Sequence, residues 1–319
     1  MGLRAASPRR PSTAPPGGPH SPLRRRRGTG AKARYALTIL AFLAPSALPL
    51  AYFTIYPMFS ALWVSFHQWN LLSPMTWVGW DNYIALVHDP ATLRAFGNTL
   101  IYIVGYLPLV YLGGLGLALA LNAAIPLRNF LRGVYFLPVV TSWIVVALVW
   151  RWLLNPSVGI VNYVLSLVGI TGPGWWTDPA WAMPSIIIAS AWKDLGFVMV
   201  ILLAGLQAIP QDLYEAAHLD GAGWWARLRH VTLPMLSPST FFVVVISLIN
   251  GFQVFDQVYA MTGGGPAGAS TVVVQRVYDM TFRYAQAGAA SALSWMLFLV
   301  ILAITVVQLV AQRRWVNYA

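Results

Sequence analysis

The sequence has no cysteine among its 319 residues. That absence excludes disulfides and thiolate metal sites, and says little about compartment. Charge is scarce as well: 9% of residues are charged and 58% hydrophobic, where a soluble globular domain carries roughly 25% charged residues. A chain so poor in charge is built for lipid. The nine acids form no paired-carboxylate site, and the five histidines show no metal-ligand or triad spacing. A Walker A loop is missing too. "GTGAK" at Gly28–Lys32 has neither the spacing nor the Ser/Thr after the lysine that such a phosphate cradle needs. Catalytic chemistry is not expected, and any ATP hydrolysis belongs to a separate chain.

What charge there is lies unevenly. The net charge is +11, yet nine of the twenty Lys and Arg precede Tyr35, with no acid among them. Residues 1–34 therefore read as a disordered basic tail, too rich in Pro, Gly and Arg to bury a core. Its expected role is to hold the N-terminus against anionic headgroups on the cytoplasmic side, and nucleic acid is not an expected partner. The apolar run from Tyr35 to about Phe66 exceeds the roughly 7–15 residues of a signal-peptide core, so it reads as an uncleaved span.

Crossing about 30 Å of hydrocarbon takes about 20 apolar residues. Six stretches of residues 35–319 qualify, near 36–64, 98–122, 134–154, 183–207, 238–258 and 289–311. The fold class expected is all-α, a polytopic membrane protein of six transmembrane helices with both termini cytoplasmic. On that topology fifteen Lys and Arg lie inside and three, Arg94, Arg276 and Arg283, lie outside, the bias the positive-inside rule requires. The outside connections hold Trp69, Trp77, Trp80, Trp175, Trp176 and Trp181. These read as interface anchors, with a sugar-stacking platform as the alternative.

The connection at about 208–236 is the most polar stretch of the second half. "EAAHLDGAGWWARLRHVTLP", Glu215–Pro234, reads as a short helix. Asp212 is expected to cap it, with Glu215 completing a capping box, and Gly221 to end it. A helix of two turns is unstable alone. Either it is a docking peg for a soluble partner, through Glu215, Ala216, Ala217 and Asp220, or it lies on the membrane surface.

Polar residues inside spans point to a pathway, because lipid exposure of them is costly. Asn250 and Gln253 are expected on one helical face, with Phe252, Phe255, Asp256 and Gln257 on adjacent turns. Amide packing between helices is the alternative. Lys193 and Asp194 diverge by about 100° on a helix, so each needs its own partner. They line a cavity or brace the structure; a phosphorylated cargo would take Lys193 as counter-charge. Arg151 is expected to snorkel or hold carbonyls, and Asn98 and Asn122 to end the second span.

The order Glu215-Ala216-Ala217, three residues, Gly221, nine residues, Val231-x-Leu233-Pro234 resembles the signature of permease subunits of binding-protein-dependent ABC importers, E-A-A-x3-G-x9-I-x-L-P, with Val for Ile. "FLRGVYFLPVVTSWIVVALVWRWLLNPSVGIVN" (Phe130–Asn162), "AWKDLGFVMVILLAGLQAIPQDLYEAA" and "VFDQVYAMTGGGP" (Val254–Pro266) are similar to the branch importing di- and oligosaccharides or glycerol phosphate. The resemblance implies that Glu215, Ala216, Ala217, Asp220 and Gly221 form the contact core of a coupling helix. It implies carbohydrate contacts around Asn250 and Gln253. It also implies a second homologous permease, two ATP-binding subunits carrying ATP and Mg, and an extracytoplasmic solute-binding protein, all at a bacterial cell membrane. A stand-alone secondary transporter is the alternative in which the peg has no purpose.

Overall fold

The computed structural model describes residues 29–123 and 125–316, and most of the proposed basic tail lies outside them. The chain divides into two compact units, one ending at Pro57 and the other starting at Met58. The first contains α1 (Thr29–Leu50), which begins six residues before the expected tail boundary at Tyr35. A π-helical turn, Ala51–Ile55, follows, and α2 covers Tyr56–Ser65. Residues Thr38–Ser65 form one apolar stretch long enough to span. Phe42 and Phe53 on it are 82% and 74% exposed, which suits hydrocarbon and not water.

In the second unit a two-stranded antiparallel hairpin, β1 (His67–Gln68) with β2 (Thr76–Trp77), precedes α3 (Asp81–His88). Then comes α4, Pro90–Asn122. Its start is fixed by sequence chemistry. The Asp89 carboxylate accepts from the Ala91 and Thr92 amides at 3.2 and 3.0 Å and from the Thr92 hydroxyl at 2.6 Å. Pro90 sits at the first helical position, where its missing N–H costs nothing. This helix starts eight residues earlier than expected, so Asn98 is inside it and does not end it. Its amide donates to the Gly268 and Thr271 carbonyls at 3.0 and 2.9 Å, tying a distant loop to α4. Asn122 does end the helix.

The third span is broken. α5 (Arg128–Val140) and α6 (Trp143–Leu153) meet at 101°. Pro138 supplies no N–H and clashes with the preceding turn, and the helix stops two residues after it. α7 (Ile160–Leu167) and a 3-10 turn lead to α8 (Ala182–Gln207), the most enclosed of the span-length helices. α4 and α8 form the main helix pair. Gly114 makes the close approach possible: a Cβ there would lie 2.5 Å from Val198 Cγ1. Burial from water drives little of such pairing within lipid; dispersion at close range does.

After α8 come α9 (Gln211–Leu219), α10 (Trp224–Arg227), a π turn, α11 (Leu233–Met235) and α12 (Ser237–Phe252). The fifth span therefore differs from a straight helix over 238–258. It enters through residues 224–235 at 65° to α12 and stops at Phe252. α13 (Asp256–Met261) and α14 (Val273–Tyr278) follow, and then α15 (Ala287–Trp315), the sixth span. Four helices are long and apolar enough to cross a membrane among the described residues, six if each bent pair is one span.

Candidate functional site

α9 is short, and its ends are defined by backbone chemistry. The expected capping box does not form. Pro210 occupies the cap position with no side-chain bond, and the helix starts at Gln211. Asp212 is consequently in the first turn, where its charge still favours the helix dipole. The C-terminal end is as expected. Gly221 adopts φ +76°, its N–H donates to the His218 carbonyl at 3.0 Å, and the Ala222 N–H donates to the Ala217 carbonyl at 2.9 Å. This is the Schellman closure, which favours glycine at the left-handed position.

Tyr214 holds the helix down. Its hydroxyl lies 3.1 Å from Thr232 Oγ1, which itself donates to the Arg227 carbonyl at 3.3 Å. Beneath it, Leu119, Asn122, Leu206, Tyr214, Trp224, Arg227 and Thr232 help line a cavity of about 270 Å³. Glu215, Ala216, Asp220 and Gly221 are exposed and Ala217 is half-buried. All five proposed contact residues thus sit on one small, outward-facing element. Thr232 as the anchor's partner was missed by sequence reasoning; nothing local marks it.

A second cavity, of about 350 Å³, opens where α12 breaks. It is lined by Tyr102 and Tyr106 of α4, Trp143 of α6, Asp194 of α8, Asn250 of α12, and Gln253–Gln257 at the break. Tyr106 donates to Asp194 Oδ2 at 2.8 Å, and Gln257 Nε2 donates to the Tyr102 hydroxyl at 3.2 Å. The Tyr102 and Tyr106 rings are parallel, 5.3 Å apart. Irregular backbone at membrane depth is tolerated where it lines a cavity, and a broken helix is where transporters expose peptide groups to cargo.

Four expected pathway residues, Asn250, Gln253, Phe255 and Asp256, come together here. Two do not. Phe252 is 2% exposed and belongs to the hydrophobic core. Lys193 donates to the Val139 carbonyl at 2.9 Å and lies 5.0 Å from the Trp143 ring centre. It is taken by a carbonyl that the α5–α6 bend leaves free. Arg151 also holds a carbonyl, that of Ala260 at 3.4 Å, and stacks on Trp176. Tyr102, Tyr106 and Trp143 went unnoticed in the sequence; the tyrosines' four-residue spacing on one helix face was the available signal.

Residues 112–316 match the family described as binding-protein-dependent transport system inner membrane component. The sulfoquinovosyl glycerol transport system permease of Agrobacterium fabrum is 34% identical over 275 residues, 86% of this chain and 89% of that protein. The trehalose/maltose transport system permease of Thermococcus litoralis is 35% identical over 266 residues, 82% and 88% of the two chains. A bacterial ABC transporter that imports the acidic polysaccharide alginate contains a chain superposing with TM-score 0.79 at 27% identity, covering 89% of this chain and 97% of that one. A break in the fifth span, a capped polar helix preceding it and these likenesses agree: the chain belongs to the inner membrane components of binding-protein-dependent transport systems, as a multi-pass permease subunit.

Proposed function

We propose that this subunit conducts a carbohydrate, delivered by an extracytoplasmic binding protein, through the cavity at Asn250 and Gln253, and that α9 is its coupling helix. The carrying observation is α9 itself: a nine-residue helix, closed by Gly221 and anchored through Tyr214, whose other side is exposed. Nothing so short is stable without support, and an outward face of alanines and carboxylates suits a cleft in a partner. That partner is one of two ATP-binding subunits, carrying the ATP and Mg. A second, homologous permease completes the membrane unit. Both termini and α9 are placed on the cytoplasmic side of a bacterial cell membrane, from the distribution of Lys and Arg.

The proposed work cycle runs from α9 to the cavity. Closure of the ATP-binding dimer moves α9. Tyr214 and Thr232 pass that movement to the segment leading into α12, and α12 carries Asn250 at one side of the cavity. The cavity opens to one side of the membrane at a time, because ATP binding favours one conformation and hydrolysis restores the other. Amides of Asn250, Gln253 and Gln257 exchange hydrogen bonds with sugar hydroxyls, and the tyrosine, tryptophan and phenylalanine rings pack on sugar C–H faces.

Gly221→Pro tests the coupling assignment. Proline fixes φ near −65°, incompatible with the +76° observed. The expected outcome is membrane insertion at the usual level with uptake abolished. Normal uptake would remove α9 from the mechanism.

A further inference from the structure

The cavity's charge names a cargo class, an inference that rests on reading the cavity as the translocation path. Its lining contains two carboxylates, Asp194 and Asp256, three amides, Asn250, Gln253 and Gln257, and four aromatic rings. No Lys, Arg or His is among the lining residues. Lys193, adjacent to Asp194 in sequence, is directed at the Val139 carbonyl. Arg151 is directed at the Ala260 carbonyl. Neither side chain reaches the lining, although Lys193 keeps its charge beside Asp194.

We infer that this half of the pathway rejects anionic sugars and carries an uncharged one. A uronate, sulfonate or phosphate entering the cavity meets two carboxylates and no counter-charge among the lining residues. At about 6 Å and an effective dielectric near 20, one such repulsion shifts a partition on the order of a hundredfold. Lys193 lies close enough to offset part of it, so a bias of at least about tenfold is expected. A cation is not the better fit. Asp194 already accepts from Tyr106, and most of the remaining polar lining is amide, which pairs with hydroxyls as donor and acceptor. Aromatic walls complete a sugar-shaped environment.

The absence of cysteine from the chain makes the test direct. Gln253→Cys gives this subunit one thiol in the cavity, and Leu72→Cys gives one at a position 91% exposed as reference. In membranes containing the assembled transporter, each is treated with three methanethiosulfonates: methyl (uncharged), sulfonatoethyl (anionic) and trimethylammonium-ethyl (cationic). The cationic-to-anionic rate ratio at Gln253→Cys, divided by the reference ratio, should be about tenfold or more. Adding Asp194→Asn and Asp256→Asn should bring it close to one. Should that variant fail to reach the membrane, Asp256→Asn alone, at an exposed position, should lower the ratio about threefold.

A normalised ratio near one in the parent overturns the charge filter. Failure of the uncharged reagent at Gln253→Cys, with Leu72→Cys reacting, overturns the pathway reading instead. Maltose and trehalose at millimolar concentration should slow the uncharged reagent, and the diuronate disaccharide of alginate should not. Equal or stronger protection by the diuronate or by glucosamine, or none by either neutral sugar, removes the cargo assignment.

Discussion

At Lys193 the ammonium group donates to a carbonyl in the last turn of α5, where helix geometry provides no partner. The side chain is 5% exposed. Lys193→Met should leave that carbonyl, on the half-buried Val139, without its donor, costing at most about 1–3 kcal/mol. The measurement is thermal unfolding in detergent; Lys193→Arg, which keeps a donor, should recover most of the loss. A different dependence applies at Asp89. Burial alone would raise its pKa, but the Thr92 hydroxyl, the Ala91 and Thr92 amides and Arg276 outweigh burial and hold it below the usual carboxylate value. A carboxylate depressed in the folded state stabilises above its unfolded pKa of about 3.9, and the benefit is lost as pH falls through the lower folded value. Asp89→Asn should therefore destabilise the start of α4 at pH 7. The difference from the parent should shrink as pH falls below about 4, followed by hydrogen exchange at residues 91–95.

Elements differ in how legibly they were written. Gly221 announced the end of α9 because glycine at a left-handed position is a local requirement, whereas apolar length reads the third span as one helix over 134–154 although Pro138 lies inside it. The α12 break left no such mark: the sequence has no proline between Pro238 and Pro266. The turn at 253–255 depends on tertiary packing, which periodicity does not encode; it leaves Gln253 as the cap of α12, its N–H still bonded to the Ile249 carbonyl. Lys193 and Asp194 were separable as to direction, yet which of them met the cavity depended on the α5–α6 bend. At α9 the decisive contact is likewise long in sequence. Tyr214→Phe removes one hydrogen bond to Thr232, worth about 0.5–1.5 kcal/mol. It should lower sugar uptake per ATP hydrolysed by about two- to tenfold in the reconstituted transporter, with ATP hydrolysis retained. Unchanged coupling would mean that α9 is steadied by its apolar contacts alone.

For the whole molecule, apolar length marked the candidate spans, four of them unbroken and two bent among the described residues, while packing and breaks were not legible; polarity rests on the Lys/Arg bias alone. Sidedness can be read directly from thiol accessibility. The tandem Trp224–Trp225, 63% and 66% exposed, stands just past α9 as an aromatic pair suited to a headgroup boundary. Arg227 and Arg229 follow it. Ser157, in the connection after α6, is expected on the opposite side. His218→Cys and Ser157→Cys, each the sole thiol of this chain, separate the two faces. A membrane-impermeant maleimide should label Ser157→Cys in intact cells with the outer barrier opened, and His218→Cys only in inverted vesicles. Labelling of His218→Cys from outside would put α9 beyond reach of any ATP-binding subunit, and the proposed transfer of motion from α9 through Tyr214 to α12 would have no source.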